Sequence, residues 1–138
     1  MKGFDVDVVA AICERINCVP NWVTTAWDGI FPALANGEFD MVVSGVTITE
    51  ERDKIVDFSD PYIIVQQGIL MRVSDKGATI DDFKSGAMKL ASQNGTTNAA
   101  LGEELVGRDN LALFDSFNNA VIAVQNGDVD GVIIDSTS

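Results

Sequence analysis

Two stretches of this chain share one pattern, and that pattern restricts the fold more than any other feature. Asn36-Gly37-Glu38-Phe39-Asp40-Met41-Val42-Val43 and Asn126-Gly127-Asp128-Val129-Asp130-Gly131-Val132-Ile133 each pass from an Asn-Gly pair through an aspartate into an apolar run. Residues with helical apolar spacing precede each copy. Glycine tolerates the left-handed backbone that closes a helix. A short β-branched run directly after it reads as a strand buried on both faces. Helix, cap and buried strand in that order belong to α/β folds with mostly parallel sheets. The connection is generic in such folds, so one α/β layer would also produce it. Two similar small lobes are the sharper reading.

The rest of the chain fits the alternation. The spacing of Val8, Ala11, Ile12 and Ile16 predicts a helix over 6–16, with Asp5 and Asp7 at its positive end. Strands are expected over 21–25 and 41–44, a short helix over 30–36, and an extended segment over 63–73. Ser74-Asp75-Lys76-Gly77 is the clearest break in composition. It divides a first lobe with its crossing strand, 1–73, from a second lobe, 74–138. The second lobe reads as helices over 80–83, 97–106 and 117–126 and strands over 88–91, 111–114 and 130–134. Ser116 and Gly127 are expected to cap its last helix. In open α/β sheets, ligands bind beyond the carboxyl ends of the strands. The two copies of the repeat aim Ser44-Gly45 and Ile134-Asp135 at such ends, and facing lobes would put both in one cleft.

Charge and composition exclude several functions. The 138 residues carry 21 acids, 9 lysines and arginines and no histidine, for a net charge of −12. Nucleic acid and anionic membrane both need a basic surface, so neither is an expected partner. Without histidine there is no Ser-His-Asp or Cys-His system and no histidine zinc site. Cys13 and Cys18 are too few for a four-thiolate site. One lies on the first helix and the other just past its end, so both are expected as free thiols unless the chain turns back. No apolar stretch is long enough to span a bilayer. The opening residues place acids where a signal peptide has its apolar run. The expectation is a cytoplasmic chain, or one cut from a longer precursor.

Several residues suit a small zwitterion. Ser44 to Arg52 leaves a buried strand and offers backbone N–H groups, hydroxyls including Thr47, and one arginine. Arg52 can grip a carboxylate at two points, while N–H and O–H groups fill the remaining lone pairs. The same segment also reads as a plain helix start with Thr49 as N-cap. Asn94-Gly95-Thr96-Thr97 is a strand-to-helix turn whose N–H groups attract anions. Thr96 there also serves as an ordinary cap. Asp135 ends an apolar strand with no basic residue nearby in sequence, so a ligand ammonium is a candidate partner. Trp27 is a pocket wall or a core residue. No nucleophile–base pair or metal-ligand spacing is visible.

These segments together resemble the extracytoplasmic solute-binding proteins of ABC transporters for polar amino acids, of the periplasmic-binding-protein type 2 fold. The likeness runs through Trp27-Asp28-Gly29-Ile30-Phe31-Pro32-Ala33-Leu34, Gly37-Glu38-Phe39-Asp40, Ser44 to Arg52, and Val56-Asp57-Phe58-Ser59-Asp60-Pro61-Tyr62. It continues in Gly95-Thr96-Thr97 and Gly127 to Ser136. The resemblance implies two α/β lobes closing on one amino acid, with no cofactor and no enzymatic activity, at a periplasmic or extracytoplasmic location. It implies Trp27 as the pocket aromatic and Ser44, Gly45 and Thr47 at the ligand α-carboxylate. Arg52 would pair with that carboxylate and Thr96-Thr97 would contact it from the second lobe. Asp135 would take the α-ammonium, and Gln93 would read the ligand side chain. The ABC transporter's membrane subunits are the implied partner. Dehydratases acting on cyclohexadienyl substrates or arogenate, and sensor or receptor domains, resemble the same family. Members open with a strand inside the first lobe's sheet and continue beyond the Asp-Ser pair, so the likeness is to an incomplete member. A missing central strand leaves apolar edges at Trp22-Val23 and Val42-Val43, which predicts a strand-paired or swapped homodimer.

Overall fold

The structure, a computed structural model, describes residues 2–137. The chain divides into two compact units, 1–63 and 64–138.

The second unit is a four-stranded mixed sheet with helices on both faces. In chain order it holds β1 (Gln67–Met71), α4 (Ile80–Lys84), β2 (Leu90–Gln93), α5 (Thr97–Val106), β3 (Leu111–Phe114), α6 (Phe117–Asn126) and β4 (Gly131–Asp135). The sheet order is β1-β4-β2-β3. β2 runs parallel to both β3 and β4, while β1 runs antiparallel to β4. Side chains alternate across the sheet, as a period of two requires. Ala91 and Val132 pack with Ala120, Ala123, Val124 and Val129 on the α6 side. Leu90 and Ile133 pack with Phe83, Val106 and Leu111 on the α4 and α5 side. Burying each large side chain contributes roughly 1.5–3 kcal/mol. Gly131 begins β4 where a Cβ would stand 2.7 Å from Ile69 Cγ2 and 3.0 Å from Phe83 Cζ, so a larger residue would force these side chains to shift.

The expected caps are present. Ser116 Oγ accepts from Asn119 N at 3.2 Å, and Gly127 closes α6 in the left-handed conformation. Within the extended segment expected over 63–73, Gln67–Met71 forms β1 and pairs with β4. Arg72, one residue past β1, ties that strand to the end of α6 and the start of β4. Its Nη1 donates to Val124 O at 2.7 Å and Val129 O at 2.9 Å, and its Nη2 to Asp130 Oδ1 at 2.7 Å. Its Nε pairs with Asp75 Oδ2 at 2.8 Å. A cation at the C-terminal end of α6 also suits the helix dipole.

The first unit holds α1 (Phe4–Ile16), α2 (Ile30–Ala35) and α3 (Glu50–Asp53), and no strand among its described residues. The strands expected over 21–25 and 41–44 are therefore corrected. A strand exists through its ladder, and neither segment has one. Trp22, Val23 and Met41 stay exposed, while Val9, Cys13 and Ile30 are buried.

The expectation of free thiols is also corrected. Cys13 and Cys18 form a disulfide with Cα atoms 4.5 Å apart. Asn17 takes the left-handed conformation at the end of α1, and Cys18 N–H donates to Cys13 O at 3.0 Å. The chain thus turns back at once, the case that brings both Cα atoms into range. Thiol labelling of the unreduced, denatured protein is expected to be absent and to appear only after a reductant is added.

Asp130 gives the second unit a pH dependence. The Lys89 backbone N–H, donating to Oδ2 at 2.8 Å, holds its carboxyl below the usual aspartate value, with Arg72 adding to the effect. The folded value lies below the unfolded one. The stabilisation is therefore complete above the usual aspartate range and is lost as pH falls through the folded value. Asp130→Asn is expected to flatten this acid limb and to lower the neutral-pH Tm by roughly 5 °C. Thermal unfolding across a pH series reads both.

Candidate functional site

In the first unit the candidate residues gather around Arg52. Thr49 Oγ1 accepts from Arg52 N at 3.2 Å, so Thr49 is the N-cap of α3 as expected. The cap fixes where Arg52 leaves the helix. Its Nη1 donates to Thr47 O at 2.7 Å. Thr47 thus contributes its carbonyl to the arginine, while its side chain remains exposed. The guanidinium carbon stands 5.5 Å from the Trp27 ring centre and 4.9 Å from that of Phe31. The two rings meet edge to face at 5.8 Å. Such cation–π contacts contribute about 0.5–2 kcal/mol each and orient the planar group. Burial lowers the Arg52 pKa from its ordinary value. Arginine nevertheless remains charged at any physiological pH. Ser44 and Gly45 lie on the exposed loop before Thr47.

Two residues of this unit are absent from the sequence expectation. Phe31 shares the guanidinium with Trp27, and the four-residue spacing across the start of α2 was the available signal. Tyr62 stacks on Phe4 at 6.2 Å and donates from Oη to Asp5 Oδ1 at 2.8 Å. Burial and then Asp5 raise its pKa, against a lowering from the Gly45 backbone. Nothing in its local sequence announced contact with α1.

In the second unit the site follows from topology. The carboxyl ends of β2 and β4 lie side by side because the strands are parallel. Antiparallel pairing sets Gln67, at the start of β1, opposite Asp135 at the end of β4. The N-terminus of α5 opens at the same edge. Thr96 caps that helix, accepting from Ala99 N at 3.1 Å and donating to Gln93 O at 2.7 Å. Its hydroxyl is therefore occupied by the turn. Thr97 Oγ1 accepts from Gln67 Nε2 at 3.0 Å, which leaves its own O–H to donate. Gln93 spends its amide Nε2 on Asp115 O at 3.0 Å.

Asp135 is half-buried, and no lysine or arginine pairs with it among the described residues. Its Oδ1 accepts from Asn98 Nδ2 at 3.2 Å. Asn98 was not singled out from the sequence, although it directly follows Thr97. It is 3% exposed, and its Oδ1 is buried without a hydrogen-bond partner. Such an orphan acceptor costs about 1–3 kcal/mol. An anion-attracting helix start and an unneutralised acid thus stand together on one sheet edge. No group of metal-ligating side chains occurs among the described residues, and no described helix is long and apolar enough to cross a membrane.

The profile of the bacterial extracellular solute-binding proteins, family 3, matches residues 1–133. A probable histidine-binding protein of Neisseria gonorrhoeae is 37% identical over 99% of this chain and 51% of its own length. An ABC transporter arginine-binding protein of Escherichia coli is 31% identical over 97% of this chain and 54% of its own. The chain thus spans about half the length of the curated relatives it matches. Among solved structures, an ancestral amino acid-binding protein described as a precursor of cyclohexadienyl dehydratase superposes with a TM-score of 0.89. It is 39% identical, over 97% of this chain and 60% of that one. The holo arginine-binding protein of T. maritima gives 0.86 at 35% identity, over 98% and 59%.

Proposed function

From its membership in family 3 of the bacterial extracellular solute-binding proteins, to which this chain belongs, we propose that it binds a free polar amino acid outside the cytoplasm. Within that reading it serves an ABC importer by presenting the ligand to the membrane subunits. The observation that carries the proposal is the juxtaposition of Asp135 with Thr97 at the start of α5. An acid without a basic partner asks for a cation. A helix N-terminus of ten residues with a hydroxyl able to donate asks for an anion. An α-amino acid carries both charges on one carbon.

The roles follow from the chemistry. Asp135 receives the α-ammonium, and Thr97 donates to the α-carboxylate. Arg52, oriented by Thr47, Trp27 and Phe31, grips the same carboxylate, with Ser44 and Gly45 supplying further donors. Gln93 reads the side chain. The relatives' names favour a polar or basic ligand, among them histidine, arginine and glutamine.

Calorimetry against the twenty amino acids tests the proposal. One or a few polar amino acids are expected to bind. Arg52→Lys loses the planar two-point pair and is expected to weaken binding roughly tenfold, and Asp135→Asn by at least as much. No heat from any amino acid, with the chain folded by circular dichroism, would sink this reading.

The same proposal extends to assembly. Trp22, Val23 and Met41 are exposed on segments that lack a ladder partner. Pairing with a second copy would cover them and supply the missing backbone bonds. Light scattering at micromolar concentration is expected to give the mass of a dimer. A well-folded monomer would end this part of the proposal.

A further inference from the structure

Asn98 is a poor residue for packing where it stands. It is 3% exposed, and its side-chain oxygen is buried with no hydrogen-bond partner. Leucine branches at the same carbon, although it is larger, and would remove that orphan acceptor. A residue serving the fold alone would gain from the exchange. What asparagine supplies is one N–H, donated by Nδ2 to Asp135 Oδ1 at 3.2 Å. The amide must present its nitrogen there, because its oxygen would repel the carboxylate.

The neutrality of that donor matters. A lysine or arginine in this place would hold Asp135 equally well and cancel its charge. An amide fixes one carboxylate oxygen and leaves the other, with the full negative charge, for a cation. Gln67, the residue opposite Asp135 in the ladder, gives its own amide N–H to Thr97 instead. Asn98 therefore provides the side-chain donor that sets the orientation of this acid.

We infer that Asn98 is a positioning residue for recognition of the ligand ammonium, acting through Asp135. The inference rests on the amino-acid-binding reading proposed above. It separates folding from recognition, and that separation is measurable.

The probes are the twenty standard amino acids and, for the tightest binder, the carboxylic acid with the same side chain but no α-ammonium. Asn98→Leu is expected to leave the intact protein folded, with a Tm within a few degrees of the wild type, because loss of the orphan acceptor offsets the larger side chain. It is expected to weaken the amino acid roughly tenfold. Binding of the des-amino acid, followed by competition up to millimolar concentrations, is expected to stay within twofold of the wild type. Asn98→Ala gives a second reading should leucine fail to fold. Equal weakening of both probes, or a fall in Tm that tracks both affinities, would assign Asn98 to the fold and overturn the inference while the function stands. A wild-type protein that binds none of the twenty overturns the function, and this inference with it.

Discussion

The register of β4 is the constraint on which the second unit depends. The strand is paired on both sides, parallel to β2 and antiparallel to β1. Parallel pairing puts the carboxyl ends of β2 and β4 at one edge, and the helix after β2 starts there. Antiparallel pairing brings the beginning of β1 to the same edge, so Gln67 faces Asp135. A one-residue slip would turn Asp135 to the other face and bury the wrong side of Val132 and Ile133. Gly131 opposes that slip, because a Cβ there would force the Ile69 or Phe83 side chain to shift. Arg72 clamps the same end of the strand through Val129 and Asp130. The position of the carboxylate at one end of β4 therefore depends on contacts at the other.

The first unit is organised by local devices instead. A left-handed turn and a disulfide close α1, a threonine caps α3, and aromatic rings hold the arginine. The turn, the disulfide and the cap join residues close in sequence. The rings of Trp27 and Phe31 reach Arg52 from a distant segment, and the Tyr62 contacts with Phe4 and Asp5 tie the end of the unit to its first helix. Apolar side chains that a ladder would cover remain in solvent.

This difference explains what could be read from the sequence. The second unit obeys strict periodicity, and its helices 97–106 and 117–126 and strand 111–114 fall where the apolar spacing places them. Capping residues are local chemistry, so Thr49, Ser116 and Gly127 were legible too. The segments 21–25 and 41–44 have strand-like composition but no partner, and composition carries no information about a partner. The cysteines were misread because their separation was judged against a helix continuing straight. One left-handed asparagine changes that geometry, and Asn17 gives little warning of it. The places of Thr97 at a helix start and Asp135 at a strand end were legible. The contacts of Asn98 with Asp135 and of Gln67 with Thr97 were not, because they depend on which elements face each other.

The supporting residues share one property that bears on binding. Asp135 is held by an amide, Thr97 by another amide, and Arg52 by a carbonyl and two rings. None of these supports carries a formal charge. In a chain with 21 acids and 9 bases, ion pairs were available as an alternative. An ion pair at Asp135 would have to be broken before a ligand ammonium could take its place. Stripping one partner from a buried pair costs about 3–5 kcal/mol, which would cancel much of the new interaction. A neutral donor orients the Asp135 carboxylate without neutralising it. Under the proposed function a ligand ammonium would meet an acid already aimed and still charged, with the ordering cost met by the fold rather than at the moment of binding.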